Sequence, residues 1–124
     1  MKPLHTDDAP KALGPYSQAQ EVSGFLFLSG QVGIDPKTGT LASGFEAQAR
    51  QVLANLRAVL AVRGLGLNAV AKTTVFLQNF DDFATLNALY AEAFGDHKPA
   101  RSTVEVSRLP AGALVEIECI AHLG

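Results

Sequence analysis

The chain has 124 residues, 48% of them hydrophobic and 18% charged, which suits one folded domain spanning residues 1–124 and not a disordered chain. Ten basic and twelve acidic residues leave a net charge of −2, and the cations are scattered from Lys2 to Arg108, so no basic stripe exists to take nucleic acid. One cysteine, Cys119, excludes an internal disulfide scaffold, and no apolar run approaches the ~20 residues of a membrane span.

Residues 1–15 are rich in Pro, Gly and charge and predict a poorly regular arm. Met1 to Pro10 lacks the apolar centre of a signal peptide, so a reducing cytoplasm is the expected location. Gln18–Val22 and Phe25–Ser29 predict strands around the turn Ser23-Gly24, with Gly30–Ile34 continuing or following the second. Asp35-Pro36-Lys37-Thr38-Gly39 predicts a loop.

Ser43-Gly44-Phe45-Glu46 fits a capping box, with Ser43 as N-cap. Phe45, Ala49, Val52, Leu53, Leu56, Val59 and Leu60 then recur at helical spacing, while Arg50, Gln51, Asn55 and Arg57 fall elsewhere on the wheel. This predicts a helix of about 20 residues with one buried stripe. Val70–Gln78 predicts a strand. Asn79, Asp81 and Asp82 offer caps for a second helix with the face Phe83, Leu86, Tyr90 and Phe94. Ser102–Ser107 and Val115–His122 predict the last strands, on either side of a Pro110-Ala111-Gly112 turn. The expected fold class is α+β, a two-layer mixed sheet with two helices on one face. A mean hydropathy of +0.16 is high for a small monomer and favours an oligomer that covers apolar surface.

Gly64-Leu65-Gly66-Leu67-Asn68-Ala69 matches a dinucleotide string, but it follows a helix and precedes a strand, the reverse of what pyrophosphate binding needs. His5, His97 and His122 lack metal-ligand spacing, so no metal is expected. Cys119 reads as a small core hydrophobe, and no serine has the context of a triad.

Some polar residues fit packing poorly. Asn87 lies on the apolar stripe of the second helix, where it either bonds a loop backbone or lines a pocket. Glu116 and Glu118 share one face of the last strand, solvated or functional. Arg101 opens a strand after Pro99-Ala100, where a fixed guanidinium can fork onto a carboxylate.

The same residues carry a family resemblance. Gly14-Pro15-Tyr16-Ser17-Gln18-Ala19, Leu28-Ser29-Gly30-Gln31, Lys72-Thr73-Thr74-Val75-Phe76-Leu77, Phe83 to Tyr90, Pro99-Ala100-Arg101-Ser102-Thr103-Val104-Glu105-Val106 and Val115-Glu116-Ile117-Glu118 run in the order found in the RidA (YjgF) family. The chain closely resembles these imine/enamine deaminases over nearly its whole length. The resemblance implies a chorismate-mutase-like fold, a homotrimer with active sites between subunits, and hydrolysis of 2-iminobutanoate and 2-iminopropanoate to 2-oxo acids and ammonia. It implies no cofactor, no nucleic acid, no membrane, and a functional link to pyridoxal-phosphate-dependent dehydratases that release such imines.

By the same resemblance Arg101 binds the substrate carboxylate and Glu116 handles the water. Tyr16, Ser29, Gly30, Asn87 and Thr103 line the substrate site. Thr103 departs from the cysteine frequent in the family, and its implied role lies in the backbone carbonyl. The alternatives are a non-catalytic small-metabolite-binding or regulatory trimer and, further off, a ribonuclease or translation inhibitor.

Overall fold

The computed structural model describes residues 1–124. The strands are β1 (Lys2–Leu4), β2 (Ala19–Val22), β3 (Phe25–Val32), β4 (Val70–Leu77), β5 (Ala100–Glu105) and β6 (Val115–His122), and the helices are α1 (Phe45–Ala61) and α2 (Phe83–Phe94). Strict alternation makes β6 the centre of the molecule. Val115, Ile117, Cys119 and Ala121 are buried under the helices, and the residues between them face away.

The six strands form one mixed sheet in the order β1-β2-β3-β6-β4-β5. Only β4 and β5 run parallel; the other pairs are antiparallel. The parallel pair needs a crossover, and α2 supplies it. Both helices pack on one face, with Leu56, Leu60 and Leu86 of the helices meeting Leu26, Val75 and Ile117 of the sheet. Truncating any of these leucines to alanine costs about 2–5 kcal/mol. The opposite face carries Phe25, Phe27 and Val104 at 38%, 44% and 43% exposure, so one layer of apolar sheet lies bare in the single chain.

The two-layer α+β architecture is as the sequence predicts, and four local expectations are corrected. The arm is more ordered than its composition suggests. β1 pairs with β2, and the buried Gln18 side chain ties residues 6–10 by donating to the carbonyls of Thr6 and Pro10 and accepting from Thr6 N–H. Ser43 is not the N-cap of α1. That position is Gly44, at φ 87°, with no side-chain cap, and the helix runs for 17 residues. A left-handed backbone at Gly44 turns the chain into the helix, which a Ser cap would not allow. Asn55 is wholly buried and donates to the carbonyls of Val32 and Ile34, satisfying the backbone where β3 ends. Arg101 lies inside β5, which starts at Ala100, and Ser102 is not the first strand residue.

Candidate active site

Pairing between β3 and β6 slips between Leu28 and Gln31, so Ser29 and Gly30 form an irregularity in β3. Across it stands Glu116. A Cβ added at Gly30 would lie 2.7 Å from the Glu116 carboxyl carbon, so the space beside β3 is taken by this side chain. Glu116 is half-buried on the face away from the helices. Burial, reinforced by the neighbouring charge of Glu118, pushes its carboxyl above the ordinary glutamate range. The chain's ion pairs involve His5, Arg50 and Arg63, so no cation offsets this. A half-buried carboxylate with a raised pKa is suited to taking and returning a proton.

Arg101 sits differently. Its partner across the strand pair is Thr73 of β4, and both side chains point toward α2. The guanidinium carbon lies 4.9 Å from the centre of the Tyr90 ring and 5.6 Å from that of Phe83. Cation–π contact holds the charge there, and no carboxylate neutralises it. Asn87, Phe94, His97 and Lys98 line the same cavity, of about 360 Å³. His97 Nε2–H donates to the carbonyl of Val70 at 2.6 Å, fixing the segment between α2 and β5. A cavity with an unpaired guanidinium, a lysine and an amide, and no acid, selects an anion.

The remaining predicted residues divide between these two places. Asn87 lines the Arg101 cavity; it is half-buried and has no hydrogen bond to a loop, so the pocket-lining reading holds. Thr103 lies two residues along β5 from Arg101 on the same face, and its Oγ1 is buried without a hydrogen-bond partner. Ser29 Oγ–H donates to the carbonyl of Ser17 at 2.6 Å. Tyr16, 51% exposed, accepts a hydrogen bond on its Oη from Leu13 N–H at 3.2 Å. Ser29 thus sits beside Gly30 at the β3 irregularity facing Glu116 and ties it to Ser17, the residue after Tyr16, whose own side chain is bonded to Leu13. The supporting groups Thr73, Phe83 and Tyr90 were not singled out from sequence, because helical spacing marks Phe83 and Tyr90 only as core. Cys119 is inert, its thiol pushed up to about 12 by burial and by Glu118.

Register keeps the two groups apart within one chain. Phe76 of β4 pairs with Glu116 on one side and with Val104 on the other, so these three share the open face. Arg101 is three residues from Val104, an odd step, and points to the opposite face. Two strand spacings and three residues put the Cα atoms roughly 14 Å apart, with the sheet between the side chains. No small ligand touches both in one copy.

The family model described as Endoribonuclease L-PSP matches residues 6–123. The chain belongs to the RidA (YjgF) family. It is 53% identical over 120 residues to a RutC family protein of Pyrococcus horikoshii, covering 96% of this chain and 95% of that one. It is 46% identical over 123 residues to the 2-iminobutanoate/2-iminopropanoate deaminase of Salmonella typhimurium, covering 97% and 96%. Among solved structures, RidA from an Antarctic Psychrobacter superposes with a TM-score of 0.96 at 43% identity, covering 98% of this chain and 99% of that chain. TdcF of E. coli with bound serine superposes at 0.94 and 39% identity, covering 98% of each. The RidA fold thus holds over nearly the whole chain. No helix of the structure is long and apolar enough to cross a membrane.

Proposed function

We propose that the chain hydrolyses small 2-imino acids, 2-iminobutanoate and 2-iminopropanoate among them, to the 2-oxo acid and ammonia. The observation that carries this reading is the unpaired Arg101 guanidinium in an acid-free cavity, in a chain 46% identical to a deaminase of these substrates. Arg101 binds the carboxylate through two parallel charge-assisted bonds and fixes the position of C2. Glu116 accepts a proton from water as the water oxygen bonds to C2 and the C=N electron pair moves onto nitrogen, and it returns that proton to the nitrogen to give the carbinolamine. On collapse Glu116 takes the hydroxyl proton and passes it to the nitrogen as the C–N bond breaks, forming the 2-oxo acid and releasing ammonia. Asn87 lines the substrate cavity, Tyr16, Ser29 and Gly30 close the site around the water, and the Thr103 carbonyl holds the nitrogen.

Because Arg101 and Glu116 face opposite sides of one sheet, the reading requires a homo-oligomer, a trimer by family, in which one copy supplies the arginine and a neighbour the glutamate. The bare sheet face with Phe25, Phe27 and Val104 is the surface that such packing would bury. The substrate would come from enzymes that release enamines from amino acids, in the family's case pyridoxal-phosphate-dependent dehydratases.

A second reading is a site that binds small amino or 2-oxo acids without turnover. The favouring observation is that one solved relative, TdcF, holds serine. Ribonuclease activity has little to support it in a chain of net charge −2 with scattered cations. Semicarbazide trapping during threonine dehydratase turnover separates the readings. Loss of semicarbazone when the protein is added supports hydrolysis, and unchanged trapping supports binding alone.

A further inference from the structure

Thr73 and Tyr90 form a unit that the proposed chemistry does not itself use. Thr73 is wholly buried, where a hydroxyl without a partner is costly. Its Oγ1 lies 2.7 Å from Tyr90 Oη, a buried hydrogen bond joining β4 to α2. Thr73 is also the residue paired in register with Arg101, on the same face of the sheet. Tyr90 therefore touches both members of the β4–β5 pair, its hydroxyl on Thr73 and its ring face on the Arg101 guanidinium at 4.9 Å.

A tyrosine ring swings about two torsions, and anchoring the far end of the ring removes that swing. The ring plane beneath Arg101 is then set by the position of Thr73, which the sheet holds rigidly. Arginine has one of the largest rotamer entropies of any side chain. A guanidinium resting on a pinned aromatic surface, with no carboxylate nearby, has already lost much of that freedom before a ligand arrives. Carboxylate binding then no longer bears that cost. A salt bridge could have fixed the arginine equally well, but it would have consumed the charge that the ligand needs.

We propose that Thr73 and Tyr90 are positioning residues that preorganise Arg101 for carboxylate capture. This rests on the reading of Arg101 as the anchor of an anionic substrate. The carboxylate is present in ground state and transition state alike, so loosening its anchor weakens binding and raises KM while leaving kcat nearly unchanged. A pair that merely satisfied two buried hydroxyls would act on stability and leave KM untouched.

The test uses the full chain as purified. Thr73→Val, Thr73→Ser, Tyr90→Phe, the Thr73→Val/Tyr90→Phe double variant and Arg101→Ala are compared in three assays: steady-state imine hydrolysis, calorimetric binding of unreactive 2-oxobutanoate, and thermal melting. Thr73→Val and Tyr90→Phe are each expected to raise KM and the Kd for 2-oxobutanoate about three- to tenfold, with kcat within about twofold. Thr73→Ser, which keeps the hydroxyl, is expected to match the parent chain. The double variant should be no worse than either single one, since both break the same link. Tyr90→Phe keeps the core filled and carries the test if Thr73→Val folds poorly. Parent-like KM and Kd in Tyr90→Phe, beside a weakened Arg101→Ala, would overturn the positioning role and leave the deaminase reading intact. Undiminished 2-oxobutanoate binding by Arg101→Ala would overturn both.

Discussion

A methyl group on residue 30 would meet the Glu116 carboxyl carbon at 2.7 Å, so the strand irregularity at Ser29-Gly30 and the acid on β6 make one feature built from distant parts of the sequence. Glu116 is also a residue that stability alone would not keep. Its pKa is raised in the fold, so the folded chain binds more protons than the unfolded chain between the ordinary glutamate pKa and the raised one. Stability is therefore greatest below that window and declines as pH rises through it. Glu116→Gln should raise the melting temperature at neutral pH while cutting imine turnover by about two decades or more. The parent chain should lose turnover on acidification at a pH above the ordinary glutamate range. A pH–rate profile beside thermal melts checks both signs. At Thr103 the orphaned hydroxyl makes a further test. Thr103→Val should melt no lower than the parent, because it removes a buried polar atom without a partner, and Thr103→Ala and Thr103→Cys should keep most activity. A loss comparable to that of an arginine variant would assign chemistry to the side chain.

Strands and helices were legible in proportion to how local their causes are. The alternation in Val115–His122 and the apolar stripe of α1 depend on residues a few positions apart, and both elements form as predicted. Contacts across the chain left no such trace. Gln18 holds the N-terminal arm through carbonyls up to 12 residues away, and Asn55 reaches carbonyls more than 20 residues away. Spacing marks both only as polar. Arg101 was visible as an unusual cation at a strand start, but its aromatic seat depends on how α2 crosses back over β5. The arm gives a measurement at this scale. Gln18→Ala should cost about 1–3 kcal/mol and free the first ten residues, because several buried backbone groups lose their partner together. Amide exchange at Thr6 should rise by more than that at Val75, which lies in the wholly buried centre of the sheet.

In the whole molecule, parity of register decides how the site can be assembled. β6, β4 and β5 lie side by side, and counting along them puts Glu116 and Arg101 on opposite faces of one sheet. Both are present in the sequence, yet neither composition nor spacing reveals that a single copy cannot use them together. The bare apolar face gives the copies a reason to associate, and a mass near three protomers in solution is the expected state.

Complementation between two inactive variants tests this account most directly. Arg101→Ala should lower kcat/KM by roughly two to four decades, since a buried carboxylate loses two charge-assisted bonds. Glu116→Gln should be impaired through its own step. Refolded together in equal amounts, the two variants should form mixed trimers on the proposed assembly. About a quarter of the sites then pair an intact arginine from one copy with an intact glutamate from the next. The account predicts imine hydrolysis at about that fraction of the parent rate, well above either variant alone. Mixed trimers, verified by mass, that remain as inactive as their parents would contradict it, because Arg101 and Glu116 would then have to act within one chain or not together at all.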